Sequence, residues 1–345
     1  MGTTVAPALI PAPVNARRLA SGAQIPFIGL GTFGSDRYGP SEVAGAVREG
    51  IRVGYRLIDC AAVYANEREI GAALRDAFQR TPREDFFVVS KVWNNAHEPA
   101  AAVQSVEQSL SDLGVDYLDA LFVHWPFANT HAPHAEPDAR DPHATPYDHD
   151  RFMRLWRALE ELVEQGRIRH LGTSNMTIPK LKFLLRDAEI RPALNEMELH
   201  PCFQQPELFQ FCLDHDIQPI GYSPMGSPSR PERDKAEEDI VDIEHPVVVE
   251  IAEAHGVHPA AVCLKWAVAR GQIPIPFSVK PGQIESNFSA AMTDPLTPAE
   301  RERLRSVDRN NRLIKGQVFL WQGAESWLDL WDVDGTIPGW KGYNS

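Results

Sequence analysis

Short apolar runs alternate with stretches of helical periodicity along most of this chain. Eight runs read as strands: Pro26–Phe33, Tyr55–Cys60, Asp85–Lys91, Tyr117–Trp125, Arg167–Asn175, Ala193–Leu199, Ile217–Ser223 and Ile273–Val279. Between most of them apolar residues recur at helical spacing. Val103, Val106, Leu110 and Leu113 fall on one helix face, and Leu155, Leu159, Leu162 and Val163 fall on another. Strand and helix alternating eight times with no visible internal repeat predicts an α/β fold of the (β/α)8 TIM-barrel type.

Four segments lie outside that rhythm. Ala16–Phe27 reads as a hairpin turning at Ser21-Gly22, ahead of the first barrel strand. Ala128–Asp150 is a Pro/His/Asp-rich connection after the fourth strand, and Gly226–Pro246 is a charged one after the seventh. Loops of this length in a compact domain tend to shape a site. The stretch after Arg309 holds Trp321, Trp327, Trp331 and Trp340, too aromatic for a solvated end. It is expected to fold over the barrel mouth, the alternative being a subunit interface. The division expected is one barrel domain over 1–345, with a flexible 1–15 and a tail over 310–345.

Composition narrows the partners. Of 345 residues, 34 are Lys or Arg and 47 are Asp or Glu, a net charge of −13, and no basic run offers itself to a nucleic-acid backbone. No apolar stretch approaches the roughly 20 residues of a membrane span. The start lacks a basic segment ahead of its apolar patch, Ala6 stands where a myristoylation signal wants Ser or Thr, and Arg17-Arg18 precede no apolar run. Cys60, Cys202, Cys212 and Cys263 form no close pair, which reads as reduced, buried thiols in a cytoplasmic protein. The expected state is monomer or homodimer. His131, His134, His143 and His149 have irregular spacing on no fixed element, so they read as a solvated loop rather than a metal site.

Gly29-Leu-Gly31-Thr-Phe-Gly34 matches the dinucleotide-binding outline G-x-G-x-x-G after a strand, with Asp59 ending the next. The helix that should open inside that turn starts only near Ser41, and the remaining strands bring no second domain. The barrel is the better fold. Its C-terminal rim is where Asp59, Lys91 and His124 would meet, since each ends an apolar strand one βα unit after the last. Tyr64 lies on the same loop as Asp59. Each alone could be structural, as a buried ion pair, a packed ring or a core imidazole; four in register at one rim point to chemistry.

The runs DCAAVYANEREIG, VVSKVWNNAHEP, VDYLDALFVHWP, LGTSN, NEMELHPCFQQ, GYSPMGSP and IPIPFSV, in this order, resemble the aldo-keto reductases from about Ala16 to Arg309. The resemblance implies a nicotinamide-dependent oxidoreductase interconverting carbonyl and alcohol on a small sugar-like or aliphatic substrate. It implies a tetrad of Asp59, Tyr64, Lys91 and His124, with Tyr64 moving the proton. It places Ser174, Asn175 and Glu196 at the carboxamide, Tyr222 on the ring, and Ser223, Met225 and Ser227 along the pyrophosphate. Gly31, Thr32, Asp59, Ser278, Val279, Lys280, Gln283 and Asn287 complete the cofactor set, and Phe33, Trp93, Trp125 and His124 face substrate. A Lys91 ammonium beside the phenol is expected to lower the tyrosine's pKa toward the working range.

Two departures from the family pattern stand out. Glu196 replaces a usual glutamine. Phe277, Gln283 and Ser286 replace a lysine, an arginine and a glutamate in the segment that reads I-P-K-S-x-x-P-x-R-I-x-E-N in NADP-binding members. With two cations gone, the expectation leans to NAD(H), with NADP(H) the alternative and Lys280 a partial substitute. The competing functions are a non-catalytic nucleotide-binding regulator of the same fold and a cofactor-free barrel hydrolase.

Overall fold

The structure is a computed structural model that describes residues 16–34, 37–132, 140–227, 230, 235–237 and 239–339. Two short antiparallel strands, β1 (Ala16–Arg18) and β2 (Gln24–Pro26), form the expected hairpin across the turn at Ser21-Gly22. Eight parallel strands follow in sequence order around the barrel: β3 (Gly29–Gly31), β4 (Leu57–Asp59), β5 (Phe87–Val92), β6 (Ala120–Val123), β7 (Leu171–Ser174), β8 (Leu194–Glu198), β9 (Gln218–Tyr222) and β10 (Ile273–Pro274). Each falls inside one of the eight apolar runs, except that β5 continues one residue past its run, to Val92. β10 is the shortest because Pro274 and Pro276 have no N–H to give to a ladder.

Helices α1 (Pro40–Val53), α2 (Glu67–Phe78), α3 (Pro99–Leu113), α4 (His149–Glu164), α5 (Ile178–Asp187) and α6 (Pro206–Asp214) follow β3 to β8 in turn. Two helices, α7 (Pro246–His255) and α8 (Pro259–Ala269), follow β9, and α9 (Pro281–Met292) and α10 (Pro298–Arg305) follow β10. Their apolar stripes close on the barrel's outside: Val106, Leu110 and Leu113 of α3 and Leu155, Leu159 and Leu162 of α4 are buried. Among the described residues no single helix is long and apolar enough to cross a membrane.

The barrel interior obeys the period of two. Leu57, Phe87, Val89, Ala120, Phe122, Leu194, Ile220 and Ile273 fill it as one apolar cluster. One step further along the same inward faces, toward the strands' C-terminal ends, the residues turn polar: Asp59, Lys91, His124, Ser174, Glu196 and Tyr222. That single change of polarity is what puts a site at this end.

The glycines of the G-x-G-x-x-G outline have another use. A Cβ on Gly31 would come within 2.9 Å of the Ile275 carbonyl oxygen, and one on Gly34 within 2.7 Å of the Phe277 ring. The Gly31 N–H donates to the Pro276 carbonyl at 3.0 Å. These residues close the barrel seam between β3 and the segment after β10, and close backbone approach there needs glycine.

The tail lies across the rim. Phe319, Leu320, Trp321, Leu330 and Trp331 are buried with Trp125 and Phe127 in one aromatic cluster. Two polar anchors hold it. Leu313 and Ile314 N–H donate to the two Glu198 carboxylate oxygens at 2.7 and 3.0 Å. Further on, the buried Lys180 pairs with Asp332 at 2.5 Å and donates to the Leu330 carbonyl. Asn129, in the long connection after β6, donates to the Phe319 carbonyl at 2.9 Å and so ties that loop to the tail. Trp340 and residues 1–15 lie outside the described residues, as does His134.

Candidate active site

Strands β4, β5 and β6 and the turn after β4 bring the four tetrad candidates together. The Lys91 ammonium donates to Asp59 Oδ1 at 2.5 Å and to the Cys60 carbonyl at 3.1 Å. It lies 5.3 Å from the centre of the Tyr64 ring. Tyr64 sits in a short helical turn, Ala62–Tyr64, that ends at Ala65 with a left-handed φ of 53°. Its ring meets His124 edge-on at 5.8 Å between centres, and Phe33 flanks it at 5.2 Å. Trp93 stands 5.0 Å from His124 on the other side.

The electrostatics set each group's state. Burial, helped by the Lys91 charge, holds the His124 imidazole well below its usual range, so the ring is neutral. Its Nδ1 is buried without a partner. Burial opposes the Lys91 charge, but Asp59, Glu196 and Tyr64 together hold the amine well above its ordinary value. Tyr64 departs from expectation. Burial drives the phenol above its ordinary range; Lys91 pulls it down, while the Asp59 and Glu196 carboxylates push it further up. Burial is the largest of these effects, and the Lys91 ammonium alone does not overcome it.

Glu196 is the reason there are two acids. Its Oε1 lies 3.4 Å from the Lys91 ammonium, across the barrel from β5. Its Oε2 is buried with no hydrogen-bond partner. Burial first and the Asp59 charge second raise this carboxyl to about 8. The sequence placed Glu196 at a carboxamide and missed its contact with Lys91. The signal was the alternation itself, since Phe87, Val89 and Lys91 share one inward face with Leu194, Glu196 and Glu198 on another strand.

Beside this cluster, β7 and β9 supply a polar shelf. Ser174 is paired in register with Glu196. Asn175, at φ 57°, donates to the His124 carbonyl at 2.9 Å and to Ser174 Oγ at 3.2 Å. The Tyr222 hydroxyl donates to Asn175 Oδ1 at 2.6 Å. Ser223 and Ser227 are joined by a 2.7 Å hydroxyl contact in the turn after β9, and both have positive φ. Met225, between them, packs toward the apolar contacts of α8 and α9, which leaves its backbone to line the turn. Thr32 is fully buried and donates to the Asp59 carbonyl at 2.7 Å. Ser278 donates to Gln283 at 2.7 Å while accepting from the Lys280 N–H at 3.0 Å. Lys280 and Gln283 are exposed at the start of α9; Val279 is half-buried, Asn287 buried, and Phe277 packs edge-on against Tyr38.

These residues fit a nicotinamide dinucleotide. An orphaned buried carboxylate oxygen, a Ser–Asn pair and a tyrosine ring converge at one end, and a serine turn and a helix start follow along the rim. The aromatic wall is Phe33, half exposed, with Trp93 and Trp125. The tail adds Phe319, which touches both tryptophans, and Trp331 against Trp125. Trp331 belongs to the aromatic tail expected over the barrel mouth; Phe319 was not singled out in the sequence. Of the histidines read as a solvated loop, His149 is instead buried at the start of α4, where it bridges Tyr147 and Asp187; His131 packs on Phe319, and His143 is exposed. All four cysteines are buried and free.

The sequence profile of the Aldo/keto reductase family matches residues 27–309. An aldo/keto reductase of Synechocystis is 39% identical over 321 residues, covering 91% of this chain and 95% of the relative. Bovine aldo-keto reductase family 1 member A1 is 39% identical over 299 residues, 86% of this chain and 90% of its own. Among solved structures, a Bombyx mori aldo-keto reductase in complex with NADP superposes with a TM-score of 0.75 at 28% identity, covering 88% of this chain and 96% of that one. An aldo/keto reductase of Brucella melitensis gives 0.72 at 31% identity, with 86% and 100% covered.

Proposed function

The chain belongs to the aldo/keto reductase family, whose members are NAD(P)-dependent oxidoreductases of carbonyl and alcohol groups, and on that premise we propose that Tyr64 is its proton donor and acceptor. A nicotinamide cofactor supplies or takes the hydride when bound. The chain's own residues do the rest. The carbonyl oxygen of a substrate gathers negative charge as it is reduced and needs donors placed in advance. Neutral His124 offers one ring N–H to that oxygen; its Nδ1 is buried without a partner. Tyr64 gives the oxygen its proton, and Lys91, fixed by Asp59, stabilises the phenolate that remains. In the oxidation direction the same hydroxyl takes the proton back.

Ser174, Asn175 and Glu196 hold the carboxamide, Tyr222 stacks on the ring, and Ser223, Met225 and Ser227 follow the pyrophosphate. Gly31, Thr32, Asp59 and Asn287 complete this surface, with Ser278, Val279, Lys280 and Gln283 at the adenosine end. NAD(H) serves at least as well as NADP(H), because Gln283 is neutral and its oxygen is engaged by Ser278, leaving Lys280 as the cation at the start of α9. The substrate is a small aldehyde, ketone or alcohol, sugar-like or aliphatic, held against Phe33, Trp93 and Trp125. The buried free thiols suit a cytoplasmic enzyme. The aromatic tail packed on the rim favours the lid role over the interface role, compatible with monomer or homodimer.

The observation that carries this reading is the Asp59–Lys91–Tyr64–His124 cluster assembled at one rim. Its test is Tyr64→Phe. The ring stays and the proton goes, so kcat on a generic aldehyde should drop by roughly 10²-fold or more, with cofactor affinity nearly unchanged. Activity within about threefold of the parent would remove Tyr64 from that role.

A further inference from the structure

Two carboxylates share one ammonium at the floor of the site. Asp59 takes the short contact at 2.5 Å, Glu196 the long one at 3.4 Å, and Glu196 Oε2 is left buried with no partner. Side-chain exposure is 0% for Lys91 and 3% for Glu196, so both groups lie out of bulk solvent. A second negative charge held this way is costly, and a proton relieves it.

We propose that Glu196 is a positioning residue that carries a proton in the resting enzyme and gives it up to solvent when oxidised nicotinamide is bound, so that its ionisation sets the balance of affinity between oxidised and reduced cofactor. This rests on the cofactor reading above. Protonated, Glu196 can donate to the carboxamide oxygen, as a side-chain amide would. Ionised, it cannot donate, but it places a negative charge beside a ring that is positive only when oxidised. The neutral form does not distinguish the two redox states; the anion favours one. Its proton also matters to Tyr64, because with Glu196 neutral one of the two charges that oppose Lys91 at the phenol disappears.

The other ionisable groups around it are accounted for. Asp59 faces it from β4, Lys91 from β5, Tyr64 from the turn after β4 and Tyr222 from β9, with His124 against Tyr64 and Glu198 next along its own strand. Strand β7 presents only Ser174 and Asn175. Burial holds His124 neutral and Tyr64 and Tyr222 protonated, and Lys91 stays charged. The titrating unit is therefore the Asp59–Glu196 pair. The proton falls on Glu196 because Asp59 has the shorter ion pair.

The test uses the full chain with NAD+ and NADH, chosen because the 2′-phosphate of the phosphorylated pair would titrate near pH 6 itself. Dissociation constants are measured by fluorescence from pH 6 to 9, and proton release by calorimetry in buffers of differing ionisation enthalpy. The ratio of the NAD+ to the NADH constant should fall about tenfold with rising pH for each unit by which bound NAD+ lowers Glu196. NAD+ binding near pH 7 should release a proton that NADH binding does not. Glu196→Gln should flatten the ratio to within about twofold and abolish the release. A flat ratio in the parent, or a slope that survives Glu196→Gln, overturns the proposal. Infrared spectra of the cofactor-free parent need no variant: a protonated carboxyl band that vanishes with a midpoint near pH 8 supports it, and loss of that band below pH 6 overturns it. If neither NAD nor NADP binds at any pH, the cofactor reading has failed and this inference falls with it; binding without the pH dependence defeats this inference alone.

Discussion

Strand β8 turns two buried carboxylates inward, Glu196 and Glu198, and each shares a cation with a second acid. At Glu196 the cation is Lys91 and the second acid Asp59. Near Glu198 the cation is His200, 3.1 Å from Glu198 and 2.9 Å from Asp242, all three fully buried. The difference lies in the donors around them. Glu198 also accepts from Leu313 and Ile314 N–H, and Asp242 accepts from Cys202 N–H at 2.8 Å. Those donors complete the hydrogen bonding around the two acids, which together raise His200 to about 9 against the pull of its burial. Glu196 has no such donors, and its carboxyl rises to about 8. The same arrangement of two acids and one base is a fastening when backbone amides complete it and a proton store when they are withheld.

The largest effect should come from breaking the fastening. His200→Gln leaves two acids facing each other and should cost about 3–5 kcal/mol in urea denaturation; a loss under about 1 kcal/mol would mean the donors alone hold this region and the contrast is false. Lys180→Met attacks a third buried pair, but one that holds only the tail. It should cost roughly 3 kcal/mol locally, seen as much faster amide exchange over 316–332 and a raised substrate KM, while cofactor affinity and the barrel's denaturation midpoint barely move. Uniform loss of protection across the barrel would show the tail to be part of the global unit.

The two clusters should also separate by pH. Glu196 moves from an ordinary 4.5 up to about 8 in the folded chain, so the folded form keeps a proton the unfolded form has lost. Stability should fall as pH rises from 4.5 to 8. His200 moves from 6.5 up to about 9; its contribution is full below 6.5 and is lost as pH rises through 9. Glu196→Gln should remove only the first decline, gaining roughly 2–4 kcal/mol over the parent at pH 8 and almost nothing at pH 4.5. An unchanged profile would show that Glu196 and Asp59 are misassigned. The smallest effect concerns an exposed position with no buried charge to release. Gln283→Arg should shift the kcat/KM ratio toward NADP(H) by roughly tenfold, the lower end of a charge-assisted contact. A parent that already prefers NADP(H) tenfold would place the phosphate elsewhere.

Most of the barrel was legible because its rules are local. Eight apolar runs became eight strands, and Ser21-Gly22 turned the hairpin, since strand period and turn chemistry are written into neighbouring residues. The meeting of Asp59, Lys91 and His124 followed from spacing alone. What escaped the sequence depends on contacts between distant segments. Glu196 reaches Lys91 across the barrel, and Glu198 takes its donors from residues 115 and 116 positions away. At Tyr64 the expected downward pull of Lys91 is present but outweighed by burial, since spacing can put a cation beside a phenol but cannot count the water removed or the acids behind it.

The crowd of indole rings at the rim has an optical consequence. Trp93, Trp125, Trp321, Trp327 and Trp331 gather in one cluster with Phe319, whereas Trp156 and Trp266 are buried among the outer helices. Indole emission overlaps the absorption of reduced nicotinamide, and energy passing between them fades steeply with separation. Light absorbed at the rim would drain into reduced nicotinamide bound there, while light absorbed by Trp156 or Trp266 would be re-emitted with less loss. Occupancy of the site could thus be read in the protein's own emission, with the distant pair as a built-in reference and no dye attached.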